Sequence, residues 1–447
     1  MQDLFPNKNE HVKKRRISPY LIIVSSFLLI ILMGSLLLLL PISKKEGEVL
    51  KFIDAFFIST SAVTITGLSP LSNLAAILSP FGKVVVAILI QIGGLSVVTL
   101  SVFVMYLIGA KIGITNRILI KESFNQNSLS GMVKLVVKIV IFSLSIEFLG
   151  FIINLIVLIP NYPLKEALGL SAFHAISAFN NCGLDIFGSN SLQNYSSNVL
   201  LNLNTAALIM LGGLGFVVLN DLITKKSYKK LMIHSKIVIT MNLILWTFGT
   251  IIFLFSEDSL NKLTFLEAFF LSVSARTAGF SNINISSISA LTTLMLLILM
   301  FIGASPASTG GGIKVTTLYT LFKGTSSYAL GRETVTHKRL IGIDTKNKAS
   351  VLLTISLSVI AIGTILLLIL EDVSLDIALV EIVSAFANVG LSKGLTVNLS
   401  NSSKILISFI MFIGRAGPLT VISLLNKTWY KEELDKSKYI EEKIVIG

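Results

Sequence analysis

The chain has 447 residues, 53% of them hydrophobic and 14% charged, with a mean hydropathy of +0.83. Soluble domains carry about 25% charged residues, so these values exclude a soluble globular fold and describe a polytopic, all-α membrane protein. The single cysteine, Cys182, excludes an intrachain disulfide and a cysteine zinc cluster, and the formal net charge of +13 is distributed as a membrane topology signal rather than as a nucleic-acid surface.

Residues 1–19 form a polar, basic leader. The apolar run from Tyr20 to Leu40 is too long for a signal-peptide core, lacks a small-residue cleavage site and reads as a retained span ending at Pro41. After a charged loop comes a shorter run, Phe56 to Leu68, which closes on Thr64-Ile65-Thr66-Gly67. It is too short to cross a bilayer, which takes about 20 apolar residues. It lies between two longer runs, the pattern of a re-entrant half-helix that enters the membrane and leaves as extended backbone. The next span covers about 81–108.

The same order recurs three times. Residues 135–160 span, 171–182 re-enter and 199–220 span; 237–256 span, 265–277 re-enter and 288–322 span with an interruption; 349–370 span, 377–387 re-enter and 404–425 span. The re-entrant segments end in Asn180-Asn181-Cys182-Gly183, Arg276-Thr277-Ala278-Gly279 and Ala387-Asn388-Val389-Gly390, each with Ser-Ala five or six positions before the glycine. A recurrence of roughly 100 residues predicts four units, each span–half-helix–span: 20–110, 135–222, 237–325 and 349–426, with a tail at 427–447. The expected fold is eight transmembrane helices and four re-entrant pore loops around a central pore.

Bare backbone at membrane depth is tolerated only where it is buried in protein or lines a wet cavity. Four such segments around one axis would offer rings of carbonyls to replace the water shell of a cation. Glycine at the end permits the backbone conformations and close approach this requires. The third repeat departs most from the others. Gly303-Ala304-Ser305-Pro306-Ala307-Ser308-Thr309-Gly310-Gly311-Gly312-Ile313-Lys314 cannot continue a helix, and reads as a gate loop beneath the filter. Arg415, a cation inside a span, needs a cavity or a partner, and reads as a pore-facing barrier. The competing reading of Arg415 is a carbonyl cap within the bundle. Arg276 reads as a brace for the third strand.

Placing both termini inside assigns 27 of the 37 Lys and Arg to five cytoplasmic stretches, which the positive-inside rule favours. His174, Cys182 and Asp185 straddle a helix and a turn and make a poor metal site. Ser305, Ser308 and Thr309 have no His–Asp arrangement nearby, so no enzyme is expected. Glu147 reads as a paired interior residue.

Taken together, Ser274–Phe280, Gly303–Lys314 and Gly414-Arg415-Ala416-Gly417-Pro418 resemble the Ktr/Trk/HKT superfamily of potassium transporters over nearly the whole chain after residue 20. Trk proteins carry an extra helical hairpin before the first repeat, so the chain looks most like the Ktr membrane (KtrB-type) subunits. The resemblance implies a potassium-conducting homodimer in the cell membrane, gated under a cytoplasmic KtrA-type ring that binds ATP or ADP. Sodium stimulation, seen in many members, is a further implication. No strand-linked phosphate loop is present in this chain, so nucleotide control would act through that partner. Rival readings are a sodium-permeable or weakly selective cation pore, an alternating-access cation symporter and a non-conducting membrane anchor.

Overall fold

The computed structural model describes residues 19–123, 130–257 and 262–417. The leader, the tail after 427 and the end of the last expected span lie outside the described residues, apart from Pro19 and the segment to Gly417. In chain order the first unit holds α1 (Pro19–Leu39), α2 (Phe52–Val63), α3 (Leu74–Ile77), α4 (Pro80–Leu95) and α5 (Val97–Leu107). A connecting helix α6 (Ile114–Ser123) leads to α7 (Met132–Leu158), α8 (Leu164–Phe179), α9 (Val199–Gly213) and α10 (Phe216–Lys225). The third unit has α11 (Ile233–Ser256), α12 (Phe265–Ser274), α13 (Ala290–Phe301) and α14 (Val315–Ala329). A small antiparallel hairpin, β1 (Val335–Thr336) and β2 (Arg339–Leu340), precedes α15 (Ile343–Leu370), α16 (Leu375–Ala387) and α17 (Asn401–Ala416).

α1, α7, α11 and α15 are long and apolar enough to cross a bilayer, with mean hydropathies of 2.2 to 2.8. The half-helices α2, α8, α12 and α16 are largely buried, so their backbone is shielded from lipid by protein. The main helix after each half-helix opens on the same device. Ser79, Asn198, Ser289 and Ser400 accept a hydrogen bond from the backbone N–H three residues on, capping α4, α9, α13 and α17.

The continuous spans expected at 81–108 and 199–220 are each broken. α4 and α5 meet at 97° about Ser96, and α9 and α10 at 96° across Leu214 and Gly215. Ser96 (φ 70°) and Gly215 (φ 91°) sit in the left-handed region, which no α-helix passes through. Among the described residues, four helices are long and apolar enough to cross a membrane, or up to six if each bent pair counts as one span. α13 has 12 residues, and α17 is described only as far as its cap at Gly417.

The units close on themselves. α4 packs on α8, α9 on α12, α13 on α16 and α17 on α2, so the helix after each half-helix leans on the half-helix of the next unit. Three apolar clusters fill this ring: around α1, α2 and α4, around α5 to α9 with α12, and around α11 to α17. At the last joint Lys404 Nζ pairs with Asp54 at 2.7 Å, both half-enclosed or better.

Candidate functional site

The four glycine-ending segments come together inside that ring. In each, the residue two before the glycine has left-handed φ: Ile65 (55°), Asn181 (56°), Thr277 (75°) and Asn388 (53°). The glycines Gly67, Gly183, Gly279 and Gly390 do too, at 91°, 79°, 78° and 100°. This recurring pair of left-handed positions turns the chain out of the half-helix and straightens it. The serine of each Ser-Ala pair holds the turn. The carbonyls of Ser61, Ser177, Ser274 and Ser384 accept from the N–H of Thr66, Cys182, Ala278 and Val389 at 2.8–3.0 Å. Ser61 and Ser384 hydroxyls accept from the glycine N–H of their own strands at 3.0 Å, whereas Ser177 and Ser274 hydroxyls donate to the carbonyls of Leu184 and Phe280.

The strands form a closed circuit. A β-carbon built on Gly67 would overlap the carbonyl oxygen of Cys182, and one on Gly183 would lie 2.6 Å from that of Ala278. One on Gly279 would overlap the Val389 oxygen, and one on Gly390 the Thr66 oxygen. Each glycine thus faces the carbonyl before the glycine of the next strand, in the order one, two, three, four, one. Thr64, Thr66, Asn180, Cys182, Ala278, Ala387 and Val389 are buried within this assembly.

Each strand is braced from behind by different chemistry. Asn388 Nδ2 donates to Thr66 Oγ1 and to the Met411 carbonyl, both at 2.9 Å, tying the first and fourth strands. Arg276 points away from the strands: its guanidinium donates to Asn242 Oδ1 at 2.5 Å and to the Gly303 carbonyl at 2.9 Å, and lies over Trp246. Asn180 meets Gln91 and Glu147. The expected partner of Glu147 is thus a pair of amides. His174 Nε2 meets Thr205 Oγ1 at 2.8 Å, with Phe187 and Phe280 edge-on to its ring, while Asp185 accepts from the Phe187 N–H at 3.2 Å.

Directly beneath lies the irregular segment from Gly303 to Lys314. Thr309 Oγ1 donates to the Phe179 carbonyl at 3.3 Å, Gly310 packs on Thr277, and Gly311 packs on Ala387 and Asn388. The segment is sewn to the bend of the second unit. Ser305 N–H donates to Gly213, Thr309 N–H to Gly212, and Phe216 N–H to Ala307, at 3.1, 3.3 and 2.8 Å. Asn242 Nδ2 donates to Ser305 Oγ, Ser308 Oγ to the Ser305 carbonyl, and Lys314 Nζ to the Gly310 carbonyl at 2.8 Å. Arg415 is both a cavity-lining group and a carbonyl cap. It lines a cavity of about 300 Å³ next to the segment, along with Ser96, Ala307, Ser308 and Lys314. It also caps carbonyls, donating to Thr309 at 2.6 Å and to Gly93.

The sequence reading missed Gln91, Asn242 and the bends at Ser96 and Gly215. The two amides were detectable as lone polar side chains in apolar runs.

Residues 2–434 match the family model TrkH, described as a cation transport protein. The chain belongs to the TrkH cation transport family. It is 36% identical over 449 residues to the Ktr system potassium uptake protein B of Bacillus subtilis, covering 98% of this chain and 99% of that one. It is 36% identical over 454 residues to the potassium/sodium uptake protein NtpJ of Enterococcus hirae, covering 97% and 98%. The potassium transporter TrkH of Vibrio parahaemolyticus has the same fold, with a TM-score of 0.73 over 94% of this chain and 87% of that one at 19% identity.

Proposed function

We propose that this TrkH-family chain is the ion-conducting transmembrane subunit of a potassium uptake system. The observation that carries the reading is the closed circuit of four strands, with every glycine facing its neighbour's carbonyl. Carbonyls of residues 64–67, 180–183, 276–279 and 387–390 line the path and replace the hydration shell of potassium. The half-helices α2, α8, α12 and α16 lead into these strands, so their partly negative C-terminal ends favour a cation there. Membrane potential and the potassium gradient drive the flow.

The Gly303–Lys314 segment is the gate. Its contacts with Phe179, Thr277 and Ala387 favour a closed path, and Arg415 holds it from the side. A guanidinium some 8 Å from a passing cation repels it by only about 2 kcal/mol at an effective dielectric near 20, enough to shape conduction without blocking it. In this reading the chain crosses the plasma membrane eight times with both termini cytoplasmic, works as a homodimer, and takes its opening signal from a cytoplasmic KtrA-type ring with ATP or ADP. The name of the Bacillus relative, a component of a Ktr system, supports a multi-part assembly.

A second reading, a pore that also passes or responds to sodium, is favoured by the name of the Enterococcus relative. Potassium and sodium flux into liposomes holding this chain alone, wild type beside Gly183→Ser, tests both. Potassium-preferring flux that the substitution weakens is the expected result. Equal flux of both ions in wild type would favour the sodium-permeable reading. Unchanged selectivity in the variant would count against the filter.

A further inference from the structure

Behind the second strand lies a carboxyl group that ion conduction through the strands leaves without a task. Glu147 is on α7 and only 6% exposed. Its Oε1 accepts from Gln91 Nε2 at 3.0 Å and from Asn180 Nδ2 at 3.1 Å, and the same Asn180 nitrogen lies 2.9 Å from Gln91 Oε1. Three helices, α4, α7 and α8, are thereby joined at the root of one strand. Among the described residues no Lys, Arg or His stands within 4.0 Å of this carboxyl. A leucine would fill the space at a much lower desolvation cost. What a leucine could not do is accept two amide N–H groups at once.

The position of the Asn180 amide matters because it stands at the start of the filter strand. Asn180 is the last residue before the left-handed turn at Asn181, and Gly183 is three residues on. Its side chain is clamped from the other side as well, since a β-carbon on Gly94 would overlap Asn180 Oδ1. At the matching place in the other strands stand Thr64, which bonds its own helix at Thr60, Arg276, which reaches Asn242 and Gly303, and Ala387. The second strand is rooted by a carboxyl group instead.

We propose that Glu147 is a positioning residue for ion selectivity. By holding Asn180 and Gln91 together it fixes the direction in which Asn181, Cys182 and Gly183 present their carbonyls, and so maintains the preference for potassium over sodium. A strand released at its root can close around the smaller ion. The inference rests on the filter reading, and the test separates the two.

Full-length protein in detergent is titrated with potassium and with sodium, and the ratio of the two dissociation constants is read from thermal stabilisation, which requires no open gate. Glu147→Leu lowers the sodium-to-potassium ratio at least fivefold. Glu147→Gln, which keeps the acceptor oxygen, restores it to within about twofold of wild type. A purely structural role would lower the melting temperature of Glu147→Leu and leave the ratio alone, which overturns the proposal. So does a Glu147→Gln ratio as low as that of the leucine variant, because charge rather than geometry would then be responsible. If Glu147→Leu does not fold, Gln91→Met removes one corner of the triangle without deleting the carboxyl. The same direction of change is expected, and an unchanged ratio overturns the proposal. Gly183→Ser runs alongside. A lowered ratio there with an unchanged one in Glu147→Leu sinks the role of Glu147 alone, and an unchanged ratio in both sinks the filter reading with it.

Discussion

At the scale of single residues, two kinds of position matter: those where no side chain fits, and those where a charge is enclosed. Gly67 belongs to the first kind. Its φ of 91° and the Cys182 carbonyl facing its α-carbon leave no room for a β-carbon. Gly67→Ser has to shift the first strand or the second, at a conformational cost of about 1–3 kcal/mol. The preference for potassium over sodium is expected to fall about tenfold, measured by competition of the two ions in flux, and full retention would mean that the ring does not select. Lys404 and Asp54 belong to the second kind, with side chains 12% and 13% exposed and 2.7 Å apart. Lys404→Met leaves the Asp54 carboxylate enclosed without its cation and should destabilise the fold by about 3–5 kcal/mol. Adding Asp54→Leu should recover most of the loss in thermal unfolding, since a wholly apolar pair has no charge to desolvate. A double variant as unstable as the single would show that the ion pair itself, not the orphaned charge, sets the effect.

At the scale of elements, the segment Gly303–Lys314 is held by few bonds of its own and many to its neighbours. Three backbone bonds bind it to the bend between α9 and α10, and Arg415 binds it at Thr309 while also gripping Gly93 beside the bend between α4 and α5. Arg415→Gln removes charge-assisted bonds worth about 1.5–3 kcal/mol each. Potassium flux in protein reconstituted without any partner should therefore rise about tenfold or more. Flux equal to wild type would mean that the second unit's bend holds the segment unaided. The physical reason why some of this was legible in the sequence is locality. Thr64–Gly67 and its three counterparts, the Ser-Ala pairs and the Pro306 and Gly310–Gly312 breaks all act within a few residues of where they stand. The 97° turn at Ser96 was not legible, because Leu95 and Val97 continue an apolar run and hydropathy does not register φ. Nor were the contacts of Arg415 with Gly93 or of Lys404 with Asp54, which join positions more than 300 residues apart and depend on the ring closing.

At the scale of the whole molecule, closure of the ring and the sidedness of the chain are linked. All four half-helices play the same part in the circuit, and α17 of the last unit packs on α2 of the first. In the function proposed above every re-entrant segment approaches from one face, which inverted halves would not give. The charges favour one of the two faces. Exposed Lys226, Lys229 and Lys230 cluster between α10 and α11, while the segment between the second strand and α9, which contains Asn190, has no Lys or Arg. The positive-inside rule favours Lys229 in the cytoplasm and Asn190 outside. Cysteine labelling in intact cells decides the matter with the protein's own Cys182 left in place, because that thiol is fully buried. Asn190→Cys should react with a membrane-impermeant maleimide added outside, and Lys229→Cys only after the cells are permeabilised. The reverse pattern would turn the molecule over, put the Gly303–Lys314 segment on the outer side of the ring, and remove any route by which a cytoplasmic partner could act on it.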